Sequence, residues 1–183
     1  MKFETLALHA GQSVDQDTLS RAVPVYRTAA YMFKNTEHAA NLFALKELGN
    51  IYTRLGNPTQ DVLEQRMAQL EGGAAALALA SGTSAIFYTI INICNHGDEV
   101  VSANNLYGGS FVQFNSILPQ FGIKVRMVDP ANPDNFKAAI NEKTRAIYCE
   151  TLGNPSLNMT DLEALAEIAG AHKLPLIVDS TFT

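Results

Sequence analysis

The stretch that decides the fold is Leu77-Ala-Leu-Ala-Ser-Gly-Thr-Ser-Ala-Ile-Phe-Tyr-Thr-Ile-Ile-Asn-Ile93. Its small apolar residues predict a buried strand, the polar segment at 81–84 predicts a tight turn, and the apolar spacing after the turn predicts a helix. Such a turn aims the free N–H groups of the first helical turn at one point, where the helix dipole attracts an anion such as a phosphate. Gly82 has no Cβ to block a close approach. The alternative is an ordinary strand–helix turn with a serine cap.

The same alternation of strands and helices continues along the chain. The predicted strands cover 74–80, 99–102, 123–128, 145–149 and 175–179. The predicted helices cover 37–48, 58–71, 83–95, 109–120, 132–139 and 160–172, of which the last is opened by a capping box. This alternation predicts an α/β protein with a mostly parallel, doubly wound sheet covered on both faces. Ligands of such sheets bind beyond the carboxyl ends of the strands.

The composition excludes several classes of protein. The 183 residues carry a formal net charge of -5 and no run of basic residues, which argues against nucleic acid as a partner. No apolar stretch is long enough to span a membrane, and no signal peptide follows Met1. Cys94 and Cys149 are too few and too far apart for a disulfide framework or a zinc site, so we expect buried, reduced thiols and no metal. These features predict a soluble cytoplasmic protein.

The first 58 residues do not have the pattern of a compact unit. The aromatic segment Val23–Phe33 is extended around a proline that blocks a helix, and it needs another surface to lie on. We therefore expect 1–58 to be an N-terminal arm that reaches a neighbouring subunit, and 59–183 to be the first part of the α/β domain. The pair Asn57-Pro58 is a good helix start, because it places a side-chain cap before a proline.

Two side chains at the predicted strand ends limit the chemistry. Asp179 follows a buried strand, where a carboxylate is costly unless it is paired with backbone N–H groups, a metal or a cationic ring nitrogen. Tyr107 lies in a turn before a helix, where its ring either packs on the surface or stacks on a flat cofactor. A phosphate site, a stacking ring and an acid beside a ring nitrogen together describe pyridoxal phosphate, whose protonated ring acts as an electron sink.

At this point the chain resembles the Cys/Met-metabolism family of pyridoxal-phosphate enzymes, which have the type I, aspartate-aminotransferase-like fold. Eight motifs carry the resemblance in order along the chain: Thr5…Leu8-His9-Ala10-Gly11, Pro24-Val25-Tyr26, Tyr52-Thr53-Arg54…Asn57-Pro58-Thr59, Leu70-Glu71-Gly72-Gly73, Ala80-Ser81-Gly82, Leu106-Tyr107-Gly108-Gly109, Glu150-Thr-Leu-Gly-Asn154-Pro155 and Val178-Asp179-Ser-Thr181-Phe182. Segments 3–12 and 37–54 are most similar to the O-acetylhomoserine sulfhydrylase branch of this family.

The resemblance implies a phosphate site shared between subunits. The backbone N–H groups of Gly82 and Thr83 would bind the phosphate of the cofactor. Tyr52 and Arg54 would reach the phosphate in the neighbouring subunit, so the enzyme would be a homodimer or a homotetramer with shared active sites.

The resemblance also implies contacts to the cofactor ring. Tyr107 would stack on the ring and assist proton transfer, and Asn154 would bond the ring 3-oxygen. Asp179 would pair with the ring nitrogen, and Thr181 would lie near the face of the ring. Glu150 fits a supporting role.

The activity that the resemblance implies is that of a transferase of methionine biosynthesis, which converts O-acetyl-L-homoserine and sulfide to homocysteine and acetate. Cystathionine γ-synthase or methionine γ-lyase activity is the alternative within the family. A non-catalytic phosphate- or nucleotide-binding module is the alternative from another class. In the family, the lysine that binds the cofactor is part of a Ser-x-Thr-Lys motif, and this motif is absent from these 183 residues. We therefore expect a piece of a longer enzyme, inactive without the rest of the cofactor domain and a C-terminal domain.

Overall fold

The computed structural model describes residues 1–183 and contains two compact units, Met1–Ala78 and Leu79–Thr183. None of its helices has both the length and the apolar character needed to cross a bilayer. The predicted boundary after residue 58 and the contact of residues 1–58 with a neighbouring subunit stay predictions.

The N-terminal unit contains three helices, α1 (Phe3–His9), α2 (Thr36–Phe43) and α3 (Pro58–Leu70). Helix α3 begins as predicted, because the side chain of Asn57 accepts the N–H of Thr59. Helix α2 ends at Phe43, earlier than the predicted 37–48, since Leu45 adopts a left-handed φ of 54° that a helix does not continue through.

The C-terminal unit alternates strands and helices as predicted. Its elements are α4 (Gly82–Ile93), β1 (Glu99–Ala103), α5 (Gly108–Val112), β2 (Lys124–Val128), α6 (Asp134–Ala139), β3 (Thr144–Glu150), α7 (Leu162–Ala171) and β4 (Leu176–Asp179). A π-helical turn, Gln113–Ile117, and a 3-10 turn, Leu118–Phe121, continue α5. The helix predicted over 109–120 is therefore helical throughout but of three types.

All four strands are parallel, in the order β2-β1-β3-β4. The central strands β1 and β3 are buried except at Arg145, because helices cover a parallel sheet on both faces. The core is apolar, and its largest fully buried apolar side chains are Tyr148, Phe114, Phe136, Ile90, Leu118, Ile147 and Leu165. The predicted parallel α/β sheet is confirmed. Strands β3 and β4 end side by side, with Glu150 in register with Asp179.

The strand predicted over 74–80 is wrong. This segment has no regular secondary structure, and side chains of α3 bond the backbone of one of its residues, Ala78. Glu64 accepts the N–H of Ala78 at 2.8 Å, and Gln60 donates to the carbonyl of Ala78 at 3.4 Å. The side chain of Leu77 is 72% exposed, so the segment is not stabilised by packing this side chain against a sheet.

The capping box predicted at the start of the last helix is also wrong. The hydroxyl of Thr160 donates to the carbonyl of Glu150 at 2.6 Å and accepts no N–H from the helix. Asp161 caps α7 instead, by accepting the N–H of Ala164 at 3.0 Å. The Thr160 hydroxyl thus turns towards the end of β3 and satisfies a buried carbonyl there, and the next residue takes the cap position.

Candidate cofactor site

The carboxyl ends of the strands surround a cavity of about 360 Å³ in the C-terminal unit. This volume lies within the range of small-molecule sites, about 300–1,000 Å³. Seven residues that the sequence singles out line it: Gly82, Thr83, Tyr107, Glu150, Asn154, Asp179 and Thr181. The structure therefore brings together residues from four separate chain segments, at the edge where such sheets bind ligands.

The N-terminus of α4 presents free hydrogen-bond donors to this cavity. The hydroxyl of Ser81 caps the helix by accepting the N–H of Ser84 at 3.1 Å. The N–H groups of Gly82 and Thr83 have no acceptor within the chain. The side chain of Gln113 donates to the carbonyl of Thr83 at 3.1 Å and fixes the turn. Two unpaired donors at the positive end of a helix suit a phosphate oxygen.

The ring of Tyr107 forms an aromatic wall of the cavity and is 53% exposed. It folds over the start of α5, where a Cβ on Gly109 would lie 2.5 Å from a ring carbon. This close approach requires glycine. The backbone N–H of Tyr107 donates to Oε1 of Glu150 at 2.8 Å. A half-exposed ring that is fixed through its backbone can stack on a flat ligand.

The side-chain amide of Asn154 faces the cavity without a hydrogen bond to the rest of the chain. The loop that carries it is fixed, because the N–H of Asn154 donates to the carbonyl of Asn105 at 3.0 Å. The side chain of Asn105 in turn donates to Asn158 at 2.9 Å. A Cβ on Gly153 would overlap both of these side chains. The backbone of Asn154 is therefore held in place, and its unbonded side-chain amide is available to a ligand oxygen.

Asp179 ends β4 with both of its carboxylate oxygens bonded. Thr181 donates its backbone N–H to Oδ1 at 3.0 Å and its hydroxyl to the same oxygen. The buried hydroxyl of Tyr148 donates to Oδ2 over 3.4 Å. Because this bond is long, Oδ2 can accept a stronger bond from a ligand.

The cavity holds two carboxylates and no cation. Burial raises the pKa of Glu150, the hydrogen bond from Tyr107 opposes this rise, and the charge of Asp179 adds to it. Burial and the same two carboxylates raise the pKa of Tyr148, which keeps its hydroxyl neutral. No lysine, arginine or histidine forms an ion pair with either carboxylate. Uncompensated negative charge favours a ligand that brings a cationic group.

These groups fit pyridoxal phosphate. The cavity offers anion donors at the helix start and uncompensated carboxylates at the strand ends, which suits a ligand with both a phosphate and a cationic ring. A nucleotide brings phosphates but no cationic ring. The site therefore favours the cofactor over the nucleotide-binding alternative.

Tyr52 and Arg54 lie in the N-terminal unit and are not among the residues that line this cavity. The structure brings the two together, because the guanidinium carbon of Arg54 lies 4.7 Å from the centre of the Tyr52 ring. An isolated antiparallel bridge joins Tyr52 to Ala30. Their contact with the cofactor of a neighbouring subunit stays a prediction.

Sequence reasoning missed two polar residues, one behind Asp179 and one in the cavity lining. Tyr148 lies two residues before Glu150 on β3, and strand alternation puts both side chains on the same face, which was the available signal. Ser110 lies three residues after Tyr107, about one helical turn. Its buried hydroxyl lines the cavity and has no hydrogen-bond partner in the chain. The apolar part of the lining, Ile86, Leu152 and Phe182, was also not predicted.

Comparisons with known proteins agree with this geometry. The model of the family described as Cys/Met metabolism PLP-dependent enzyme matches residues 4–183. The chain is 56% identical over 183 residues to O-acetyl-L-homoserine sulfhydrylase 1 of Thermus thermophilus. The matched region covers 100% of this chain and 44% of the relative. It thus spans less than half the length of this relative.

Two solved structures share the fold over the whole chain. A Campylobacter jejuni protein named as an O-acetylhomoserine (thiol)-lyase, with N'-pyridoxyl-lysine-5'-monophosphate, has a TM-score of 0.95 and 44% identity, over 99% of this chain and 44% of that one. Cystathionine gamma-lyase from Lactobacillus plantarum, complexed with L-serine, has a TM-score of 0.88 and 37% identity, over 100% of this chain and 45% of that one.

Proposed function

Because the chain belongs to the Cys/Met metabolism family of pyridoxal-phosphate-dependent enzymes, we propose that it supplies part of the active site of an O-acetylhomoserine sulfhydrylase. Its substrates are then O-acetyl-L-homoserine and sulfide, and its products are homocysteine and acetate. The observation that carries the proposal is the cavity where free anion donors, an aromatic ring and two uncompensated carboxylates meet. The 56% identity to the Thermus sulfhydrylase, against 37% to the Lactobacillus γ-lyase, favours this activity.

Different residues of the cavity bind different parts of the cofactor in this proposal. The free N–H groups at the start of α4 bind the phosphate, and Asn154 bonds the ring 3-oxygen. Asp179 would hold a proton on the ring nitrogen, and Thr181 keeps its carboxylate in place. When bound, pyridoxal phosphate supplies an electron sink that stabilises negative charge on the substrate carbon.

Tyr107 serves both orientation and proton transfer in this proposal. Its ring covers one face of the bound ring system and limits the access of water. Its hydroxyl forms no hydrogen bond within the chain and lies at the cavity, so it is available to hold or move a proton at the substrate. Tyr148 takes no part in proton transfer, because its raised pKa keeps it a neutral donor.

Product analysis of the purified intact protein with added pyridoxal phosphate tests this function. We expect O-acetyl-L-homoserine and sulfide to give homocysteine faster than any competing reaction. Replacing sulfide with L-cysteine measures cystathionine formation, and L-methionine alone measures methanethiol release. If either of these is the faster reaction, the corresponding alternative within the family replaces the sulfhydrylase. Binding of ATP without binding of pyridoxal phosphate would overturn the enzyme proposal.

We further infer that copies of this chain associate as a homodimer or homotetramer with shared sites. The N-terminal unit exposes large apolar side chains, with Met32 at 95% and Leu48 at 92% exposure. Exposed apolar surface of this kind marks protein contacts. The stack of Arg54 on Tyr52 holds a cation that can bind a phosphate in the partner's site.

Complementation between two inactive variants tests the shared site. Co-expression of Arg54→Ala with Asp179→Asn forms mixed dimers in which one site carries both defects and the other carries none. We expect activity to recover to about a quarter of wild type, since about half of randomly mixed dimers are heterodimers. Activity that stays at the level of the single variants would place both residues in the site of one chain.

The two cysteines support a cytoplasmic location for this enzyme. Cys94 and Cys149 are free and buried, as the sequence predicts. Free thiols of this kind are typical of a reducing compartment.

A further inference from the structure

Glu150 connects three segments of the C-terminal unit at the end of β3. Its carboxylate is 5% exposed and accepts the backbone N–H of Tyr107 at 2.8 Å. Its backbone carbonyl accepts the hydroxyl of Thr160 at 2.6 Å. The side chain therefore serves the aromatic wall of the cavity, whereas the main chain serves the loop before α7.

Tyr107 depends on this bond for its position. It precedes α5 without any side-chain cap, and its φ of -48° and ψ of 137° are not helical. Its ring is half exposed and its hydroxyl is unbonded, so no contact at the tip of the ring fixes its direction. The ring is held only near the backbone, by the N–H bond to Glu150 and by the close approach to Gly109.

A carboxylate is a costly choice for this task. A neutral side chain could accept an N–H bond without placing a second negative charge beside Asp179. Burial and Asp179 raise the pKa of Glu150, which shows that the ionised form is disfavoured here. A bond to an ionised acceptor is about twice as strong as one between neutral groups, so the carboxylate gives a firmer hold on Tyr107.

We propose that Glu150 is a positioning residue that sets the direction of the Tyr107 ring against the cofactor through the backbone N–H of Tyr107. The inference rests on the proposed function, because it needs pyridoxal phosphate in the cavity. A merely structural Glu150 would close the end of β3 and affect stability without affecting the ring.

Three substitutions in the intact protein separate these two roles. Glu150→Met removes the acceptor at similar length, and Glu150→Gln keeps a neutral acceptor at the same place. Thr160→Val is the matched control, because it removes the other bond at Glu150 without touching Tyr107. The probes are the affinity for pyridoxal phosphate by equilibrium dialysis and the circular dichroism of the bound cofactor, a signal that depends on the orientation of nearby rings.

We expect Glu150→Met to weaken binding of pyridoxal phosphate about tenfold and to reduce the cofactor's circular dichroism, as loss of a charge-assisted bond predicts. Glu150→Gln should stay within about threefold of wild type. Thr160→Val should lower stability alone. In a Tyr107→Ala background, Glu150→Met should cause no further loss of affinity, because the two residues act as one unit.

Wild-type affinity and dichroism in Glu150→Met, or an equal loss in the Tyr107→Ala background, would overturn the inference. If Glu150→Met does not fold, Glu150→Gln carries the test: its loss of affinity and dichroism should disappear in the Tyr107→Ala background, and an equal loss in both backgrounds would overturn the inference. Failure of the proposed function gives a different result, in which the wild-type protein itself does not bind pyridoxal phosphate.

Discussion

Acidic side chains lie at both ends of the parallel sheet, but only those at the amino end form ion pairs with arginines. Arg126 donates to both carboxylate oxygens of Glu99, and Asn141 adds a bond at 2.7 Å. Arg145 lies 2.9 Å from Asp98. The bonds from Arg126 and Asn141 lower the pKa of Glu99 to about 2. Charge that is compensated within the chain needs no ligand.

At the carboxyl end the acidic side chains have only neutral partners. Glu150 accepts a backbone N–H, and Asp179 accepts bonds from Thr181 and from the Tyr148 hydroxyl. The same sheet can pair its acids with arginines, yet it does not do so here. Unpaired acids in a cavity are a sign of function, because a ligand must supply the missing cation. The contrast therefore distinguishes a structural end from a binding end.

We expect the largest loss of cofactor binding from Asp179→Asn, which removes one of the two carboxylates at the carboxyl end. Asparagine keeps the size of the side chain and can still accept from Thr181, but it removes the charge that attracts a ring cation. We expect the fold to persist, affinity for pyridoxal phosphate to fall about a hundredfold and turnover nearly to vanish. Dialysis and steady-state kinetics measure both.

Asp161→Asn is the matched control for this prediction. Asparagine caps a helix about as well as aspartate does, and Asp161 lies at the start of α7, outside the cavity lining. This variant should bind as wild type does. Wild-type affinity in Asp179→Asn as well would remove the ring-nitrogen role of Asp179.

At the amino end, Glu99→Gln should lower stability and leave cofactor binding unchanged. The substitution leaves the guanidinium of Arg126, whose side chain is 40% exposed, without its ion pair, and places the neutral amide at a buried position. We expect the free energy of unfolding to fall by about 1–2 kcal/mol. Urea denaturation measures the loss, and dialysis with pyridoxal phosphate measures binding. If Glu99→Gln weakened binding of pyridoxal phosphate and left stability unchanged, the proposed difference between the amino and carboxyl ends would be wrong.

The stability that Glu99 contributes should also depend on pH. Its pKa of about 2 in the folded protein lies below the ordinary value of 4.5. The contribution is therefore fully present above pH 4.5 and is lost as the pH falls towards 2. The difference in unfolding free energy between wild type and Glu99→Gln should shrink across this window. A difference that stays constant from about pH 6 to about pH 3 would assign the effect to packing instead of ionisation.

We expect the smallest effect on binding from the hydrogen bond between Tyr148 and Asp179 at the carboxyl end of the sheet. Tyr148→Phe removes only the long bond to Asp179 and keeps the edge contact with Phe114, whose ring centre lies 4.8 Å away. Affinity for pyridoxal phosphate should fall by no more than about threefold. Tyr88→Phe, an exposed tyrosine outside the cavity lining, is the control. A tenfold loss would make Tyr148 a main support of Asp179.

The sheet and the position of the site could be predicted from the sequence because both depend on local signals. Apolar runs of strand length alternate with helical spacing, and the carboxyl ends of parallel strands share an edge. Gly82, Tyr107, Asn154 and Asp179 each follow or flank such a run. Their meeting in one cavity is a consequence of the strand order.

The remaining features depend on partners that are distant in sequence. Segment 74–80 is apolar like a strand, but only the structure shows that side chains of α3 bond the backbone of Ala78. The Thr160 hydroxyl could have accepted a helix N–H as a cap, but it donates to the buried carbonyl of Glu150, ten residues away in sequence. The absence of a cation near Asp179 is likewise a property of the folded chain, because sequence does not reveal which arginines face which end of the sheet.

The most direct test of the account is nitrogen NMR of pyridoxal phosphate that is labelled with nitrogen-15 in its ring and bound to the intact protein. The uncompensated carboxylate of Asp179 should keep the ring nitrogen protonated well above the pH at which the free cofactor loses this proton. In Asp179→Asn the same signal should report an unprotonated nitrogen. The ring nitrogen could instead be unprotonated in the wild-type protein, or equally protonated in wild type and Asp179→Asn. Either result would contradict the claim that the carboxylates at the carboxyl end of the sheet bind a cationic ligand.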